Sequence, residues 1–185
     1  MRRSSLAAAL LLAMGMFAPA SAAHAQRPFT FGFGGGAAMP LGSSGDQLVL
    51  GWNALGTMNI QAPVLPVGVR LDVAYNEFNF ERALLGSANP PGSQRITSFS
   101  VNPTLRLPTT GQSASPYAIG GVGSYNVGCT DSGACKSSSK IGWNVGVGAS
   151  FQTFGLKAFA EARYHRVQPG SVSLQYVPFT LGLLF

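Results

Sequence analysis

The chain has 185 residues, enough for one domain, and only 10% of them are Asp, Glu, Lys or Arg, where an average soluble domain carries about 25%. So few charges cannot cover a water-facing surface, and the 24 glycines stand beside too many aromatic and apolar residues for a disordered tract. The net charge of +6 rests partly on Arg2 and Arg3, and no basic run with interleaved aromatics marks nucleic-acid binding.

Residues 1–25 read as a cleaved signal peptide. Arg2 and Arg3 give a positive start, Leu6 to Phe17 is an apolar run, and Ala23-His24-Ala25 fits the small-x-small pattern cut before Gln26. That run is shorter than the roughly 20 apolar residues a spanning helix needs. The paired arginines lack a fuller twin-arginine motif, so the general secretory route is expected. Residues 26–185 are then the mature domain.

Helical periodicity is absent from the mature chain; apolar residues alternate with small or polar ones in segments of about ten residues. In the first segment Phe29, Phe31, Phe33, Ala37 and Met39 oppose Thr30, Gly32, Gly34 and Gly36. In the second, Trp52, Ala54, Met58 and Ile60 oppose Asn53, Thr57, Asn59 and Gln61, before a tight turn over Pro63 to Pro66. The third sets Val67, Val69, Leu71, Val73 and Tyr75 against Gly68, Arg70, Asp72 and Asn76. A loop is expected from Glu77 to about Gln94. The fourth sets Thr97, Phe99, Val101, Leu105 and Leu107 against Ser98, Ser100, Asn102, Thr104 and Arg106.

The fifth segment starts at Pro116 and carries Tyr117, Ile119, Gly121, Gly123 and Tyr125 on one face, with weak parity. Next comes Gly128-Cys-Thr-Asp-Ser-Gly-Ala-Cys135. In an oxidising compartment, Cys129 and Cys135 are expected to close this short loop as a disulfide. No third or fourth ligand stands near for a metal site. The sixth segment opposes Ile141, Trp143, Val145, Val147, Ala149 and Phe151 to Gly142, Asn144, Gly146, Gly148 and Ser150. The seventh opposes Ala158, Ala160, Ala162 and Tyr164 to Lys157, Phe159, Glu161, Arg163 and His165. In the last, Val177, Phe179, Leu181, Leu183 and Phe185 share a face.

Eight strands joined by short connections predict an all-β fold: an eight-stranded antiparallel up-and-down transmembrane β-barrel behind an N-terminal signal peptide. Closure leaves no unpaired strand edge in lipid, and eight strands give an interior that side chains just fill. The distribution of charge chooses the environment. Arg70, Asp72, Arg106, Lys157, Glu161, Arg163 and His165 all fall on the small-polar face, while Arg166 departs at a strand end. A polar lumen and an apolar outside fit a bilayer; a soluble calyx reverses them. With both termini periplasmic, Phe29, Tyr117, Phe151 and Phe185 fall at the periplasmic rim. Trp52, Tyr75, Phe99, Tyr125, Trp143 and Tyr164 fall at the outer one, which predicts two aromatic girdles.

Pro116-Tyr117-Ala-Ile-Gly-Gly-Val-Gly123, Gly142-Trp-Asn-Val-Gly-Val-Gly148, Ala160-Glu-Ala-Arg-Tyr-His165 and Pro178-Phe-Thr-Leu-Gly-Leu-Leu-Phe185 resemble the OmpA/OmpX-like outer-membrane β-barrel domain. The resemblance covers the whole mature chain. It implies that Phe179, Leu181, Leu183 and Phe185 form the signal read by the barrel-assembly machinery. Leu184 departs from it, standing where a polar or basic inward residue is expected. With the chain ending on Phe185, the periplasmic peptidoglycan-binding domain of full-length OmpA proteins is expected to be missing.

No catalytic group is assigned. His165 is the single histidine of the mature domain, and no serine follows it two positions on as a lipid A deacylase would place one; Ser171 and Ser173 have no clear third member. The charged lumen residues are expected to pair as a plug rather than to line an ion path. Phe78, Phe80, Leu84 and Leu85 in one loop, with Lys136 and Lys140 in another, are candidate surface contacts. The sequence therefore predicts a non-enzymatic outer-membrane protein with a structural or surface-interaction role. Its expected partners are membrane lipid, lipopolysaccharide and the assembly machinery, and it is expected to be a monomer without cofactor, metal or nucleic acid. A narrow porin-like pore and a lipid A-modifying enzyme are the alternatives.

Overall fold

The computed structural model describes residues 29–46, 48–61, 65–80, 92–108, 114–129, 137–153, 156–168 and 173–185. The expected signal peptide lies outside them, as do Cys135, Lys136, Leu84, Leu85 and Ser171. The strands are β1 (Phe29–Leu41), β2 (Gly51–Gln61), β3 (Val67–Asn79), β4 (Ser93–Arg106), β5 (Ala114–Cys129), β6 (Ser138–Thr153), β7 (Leu156–Val167) and β8 (Leu174–Leu184). Each pairs antiparallel with its sequence neighbours, and β8 returns to β1, so the sheet is a closed barrel. The closing seam runs from Gly32↔Leu184 to Leu41↔Gln175.

The alternation seen in the sequence becomes the two faces of the wall. Apolar side chains stand on the outside: Ile141 is 79% exposed and Leu181 66%, while inward Asp72 is 2% exposed and Asn102 fully buried. This inversion of a soluble core is what a lipid-facing barrel requires. Glycines on the inner face make room for that interior. A Cβ at Gly121 would sit 2.4 Å from Asn102 Oδ1 and one at Gly148 2.5 Å from the Tyr117 ring; without them these side chains would be displaced.

Several expected boundaries move. The expected loop from Glu77 to Gln94 is in part strand: β3 and β4 pair through Glu77↔Arg95, Phe78↔Gln94 and Asn79↔Ser93. Alternation simply continues past the aromatic rim, which turns Phe78 inward, where it is fully buried rather than an exposed surface contact. Phe80 bridges to Leu48 and packs on the same cluster. Lys140 likewise belongs to β6. Cys129 ends β5, and no described cysteine is free.

Candidate functional site

Two strands on opposite sides of the barrel furnish the centre of the lumen. β3 presents Arg70 and Asp72, and β7 presents Glu161 and Arg163, each pair at the two-residue spacing that puts both side chains on the inner face. They meet as a closed ring of alternating charge. Arg70 Nη2 donates to Glu161 at 2.7 Å, and Arg163 Nη1 to Asp72 at 2.8 Å. Arg70 Nε stands 3.0 Å from Asp72, and Arg163 Nη2 also donates to Glu161. Two cations and two anions make the ring neutral. All four side chains are nearly inaccessible, so each needs the others to offset lost hydration.

Neutral polar groups extend the ring; of these, the sequence places Tyr117 in the girdle and assigns the others to no site. Asn102 donates to Asp72 at 2.7 Å, and Asn144 donates to Asn102 at 2.9 Å. Tyr117 donates to Glu161 at 2.8 Å. Thr180 donates to Asn53 at 2.9 Å, and the Asn53 amide donates to the Ala37 carbonyl at 3.0 Å. The signal was available for the asparagines, because Asn53, Asn102 and Asn144 each lie on the small-polar face of their strand.

Away from the chain termini, the lumen is closed by apolar side chains. Ala38, Leu48, Phe78, Ile96, Tyr125, Val167, Leu174 and Tyr176 form one buried cluster. His165 belongs to this plug and not to the charged ring. Its ring stacks on Tyr176 at 4.9 Å, and its Nδ1 lies 3.0 Å from the Tyr125 hydroxyl. Ser173 is occupied by Gln175 Nε2 at 2.8 Å.

At the end bearing Phe29 and Phe185 the lumen instead opens into a polar vestibule of about 60 Å³. Arg106 and Lys157, expected in the central network, face this vestibule, and Leu184 lines it in place of the polar residue expected there.

The girdle is narrower than expected. Trp52 and Tyr75 pair on the outer wall with ring centroids 5.2 Å apart, and Trp143 and Tyr164 do so at 5.5 Å on the opposite side. Each tyrosine hydroxyl also donates, Tyr75 to Glu77 at 2.8 Å and Tyr164 to Gln175 at 2.9 Å. Tyr117 and Tyr125 are not in the girdle; both point into the lumen. Each ring covers an inward glycine of β6, Tyr117 over Gly148 and Tyr125 over Gly142. Such coverage fills the gap a glycine leaves in a sheet. At the other rim Phe185 stacks on Phe33 at 5.6 Å and 23°, and exchanges backbone hydrogen bonds with Phe31 at 2.7 and 3.1 Å.

The family model of the outer membrane protein beta-barrel domain matches residues 8–182. No curated protein matches the chain in sequence. Among solved structures, the chain is similar to Neisserial surface protein A at 15% identity and a TM-score of 0.64, with 85% of this chain and 96% of that one covered. It is similar to the Yersinia pestis outer membrane protein Ail in a phospholipid bilayer nanodisc at 17% identity and a TM-score of 0.52, covering 86% and 100%. A major outer membrane protein from Thermus thermophilus matches at 16% identity and a TM-score of 0.52, covering 85% and 97%. At these identities the likeness is one of fold.

Proposed function

We propose, for a chain that belongs to the outer membrane protein β-barrel domain family, a non-enzymatic role in which a closed barrel supports the envelope and presents its outer rim to the surroundings. The carrying observation is the neutral charged ring that ties opposite walls of the lumen together. With the aromatic plug beside it, the ring favours a rigid strut over a conduit. The short turns and both ends of the mature domain would face the periplasm, and the Trp52–Tyr75 and Trp143–Tyr164 pairs would sit at the outer headgroups. Phospholipid and lipopolysaccharide are then the lipid partners, and the barrel-assembly machinery acts on the row Phe179, Leu181, Leu183 and Phe185. The protein travels by the general secretory route and works as a monomer. His165 bonds to Tyr125 in an apolar setting, which favours a packing role over acyl transfer.

Planar-bilayer recording of the purified barrel tests this reading. A silent bilayer, with heat-sensitive gel mobility showing that the protein is folded, is the expected result. Reproducible unitary conductance would replace the strut by a narrow pore. Altered lipid A mass spectra on overexpression would replace it by a lipid-modifying enzyme.

A further inference from the structure

We propose that the vestibule is a binding site for a small oxyanion, carrying phosphate or carboxylate oxygens. Its donors come from three separate strands: the Arg106 guanidinium from β4, the Lys157 ammonium from β7 and the Gln61 amide from β2, all lining one cavity of about 60 Å³. Hydroxyl-bearing Thr30, Ser115 and Ser150 complete the wall. The charged ring closes the inner end, since Arg70 and Tyr117 line the cavity while bonding to Glu161. The pocket is therefore blind.

Charge and hydrogen bonding both leave this pocket incomplete. Among the described residues, no carboxylate pairs with Arg106 or Lys157. Asp72 and Glu161 are held by Arg70 and Arg163, and Glu77 lies toward the opposite rim beside Arg95. Two like charges facing one cavity repel each other and favour a shared anion. Independently, Gln61 Nε2 is buried without a hydrogen-bond partner, and an unmade donor is costly. An oxyanion satisfies the cations and the orphan amide together, whereas a cation or a neutral apolar ligand satisfies neither. The volume suits a group of phosphate or carboxylate size.

The test uses the folded mature chain in detergent micelles, with line broadening of inorganic phosphate followed by phosphorus NMR and of labelled acetate by carbon NMR. Saturable binding of either probe is expected; binding of phosphate alone or acetate alone identifies the oxyanion. Arg106→Gln and Lys157→Gln should each weaken it severalfold, the loss of one solvent-screened charge partner. Arg95→Gln removes the same charge at the far rim and should change it little. Gln61→Glu puts a carboxylate into the pocket and should abolish binding by occupying the site, which keeps the test decisive if a charge variant does not fold. Absence of saturable binding by both probes, equal weakening in Arg95→Gln, or undiminished binding in Gln61→Glu overturns the proposal.

Discussion

Arg70 and Glu161 stand 91 residues apart in sequence and meet at 2.7 Å from opposite walls of the barrel. Glu161 is also the acceptor for Arg163 and Tyr117, so its carboxylate holds three partners at once.

Removing that charge should therefore cost more than one contact. Glu161→Gln leaves Arg70 and Arg163 sharing the single charge of Asp72 in a site where all these side chains are nearly inaccessible. A loss of about 3–5 kcal/mol is expected, the range for breaking a buried pair on one side. Arg95→Gln, an exposed partner of Glu77 at 3.7 Å, should stay within about 0.5 kcal/mol. Urea unfolding in micelles, followed by tryptophan fluorescence, measures both.

Gly148 and Tyr117 should be coupled. Gly148→Ala drives a methyl into the Tyr117 ring and should destabilise the barrel by about 1–3 kcal/mol. In a Tyr117→Ala background the same change should cost less, because the ring is gone and only the Ala160 carbonyl, 2.8 Å from the new methyl, still obstructs it. A double-mutant cycle reads the difference; additive costs would mean that the ring does not lie over the glycine.

The rim aromatics should report a common depth. Trp52 and Trp143 lie on opposite sides of the barrel in equivalent diagonal pairs with Tyr75 and Tyr164. In liposomes, single-tryptophan variants carrying either residue should be quenched more strongly by a label near the headgroup than by one at the bilayer centre. Quenching that differs in depth between the two would break the girdle.

Phe185→Ala should lose the stack on Phe33, worth about 0.5–1.5 kcal/mol in the folded barrel. If the row ending at Phe185 is also the assembly signal, the cellular insertion yield should fall further than this equilibrium loss accounts for. Comparing refolded stability with outer-membrane yield separates the two effects.

The cysteine expectation has a direct chemical check. Cys129 and Cys135 should resist alkylation until a reductant is added, and intact mass should rise by two hydrogens on reduction. Because the loop between them is short, replacing both by serine should cost only about 2–3 kcal/mol.

Parity made most of the wall legible, because a charge or apolar Val and Phe residues mark one face of six strands. β5 escaped it. Its inward row (Tyr117, Ile119, Gly121, Gly123, Tyr125) and outward row (Ala118, Gly120, Val122, Ser124) contain no charge, so neither announces its solvent. What orients β5 is a relation between strands, since Gly142 and Gly148 on β6 leave the gaps that its tyrosines fill. Phe78 escaped for another reason. Bilayer thickness limits the membrane-embedded length, but β3 and β4 continue beyond it, and there an inward aromatic covers the lumen instead of meeting lipid. The ring was legible as a set of inward charges. The separation of Arg106 and Lys157 from it was not, because inward parity says nothing about height along the barrel axis.

The order of charges in the ring bears on how the barrel closes. A slip of one residue between strands swaps inside and outside and is rejected by lipid. A slip of two keeps every face correct, and parity is blind to it. Sliding β7 by two residues against β3 in one direction sets Arg70 against Arg163; in the other it sets Asp72 against Glu161. Either error buries like charges together. The Arg-x-Asp and Glu-x-Arg pairs thus act as a combination that accepts one alignment, allowing a chain still assembling in the membrane to discard the misregistered closures that its hydrophobic pattern would tolerate.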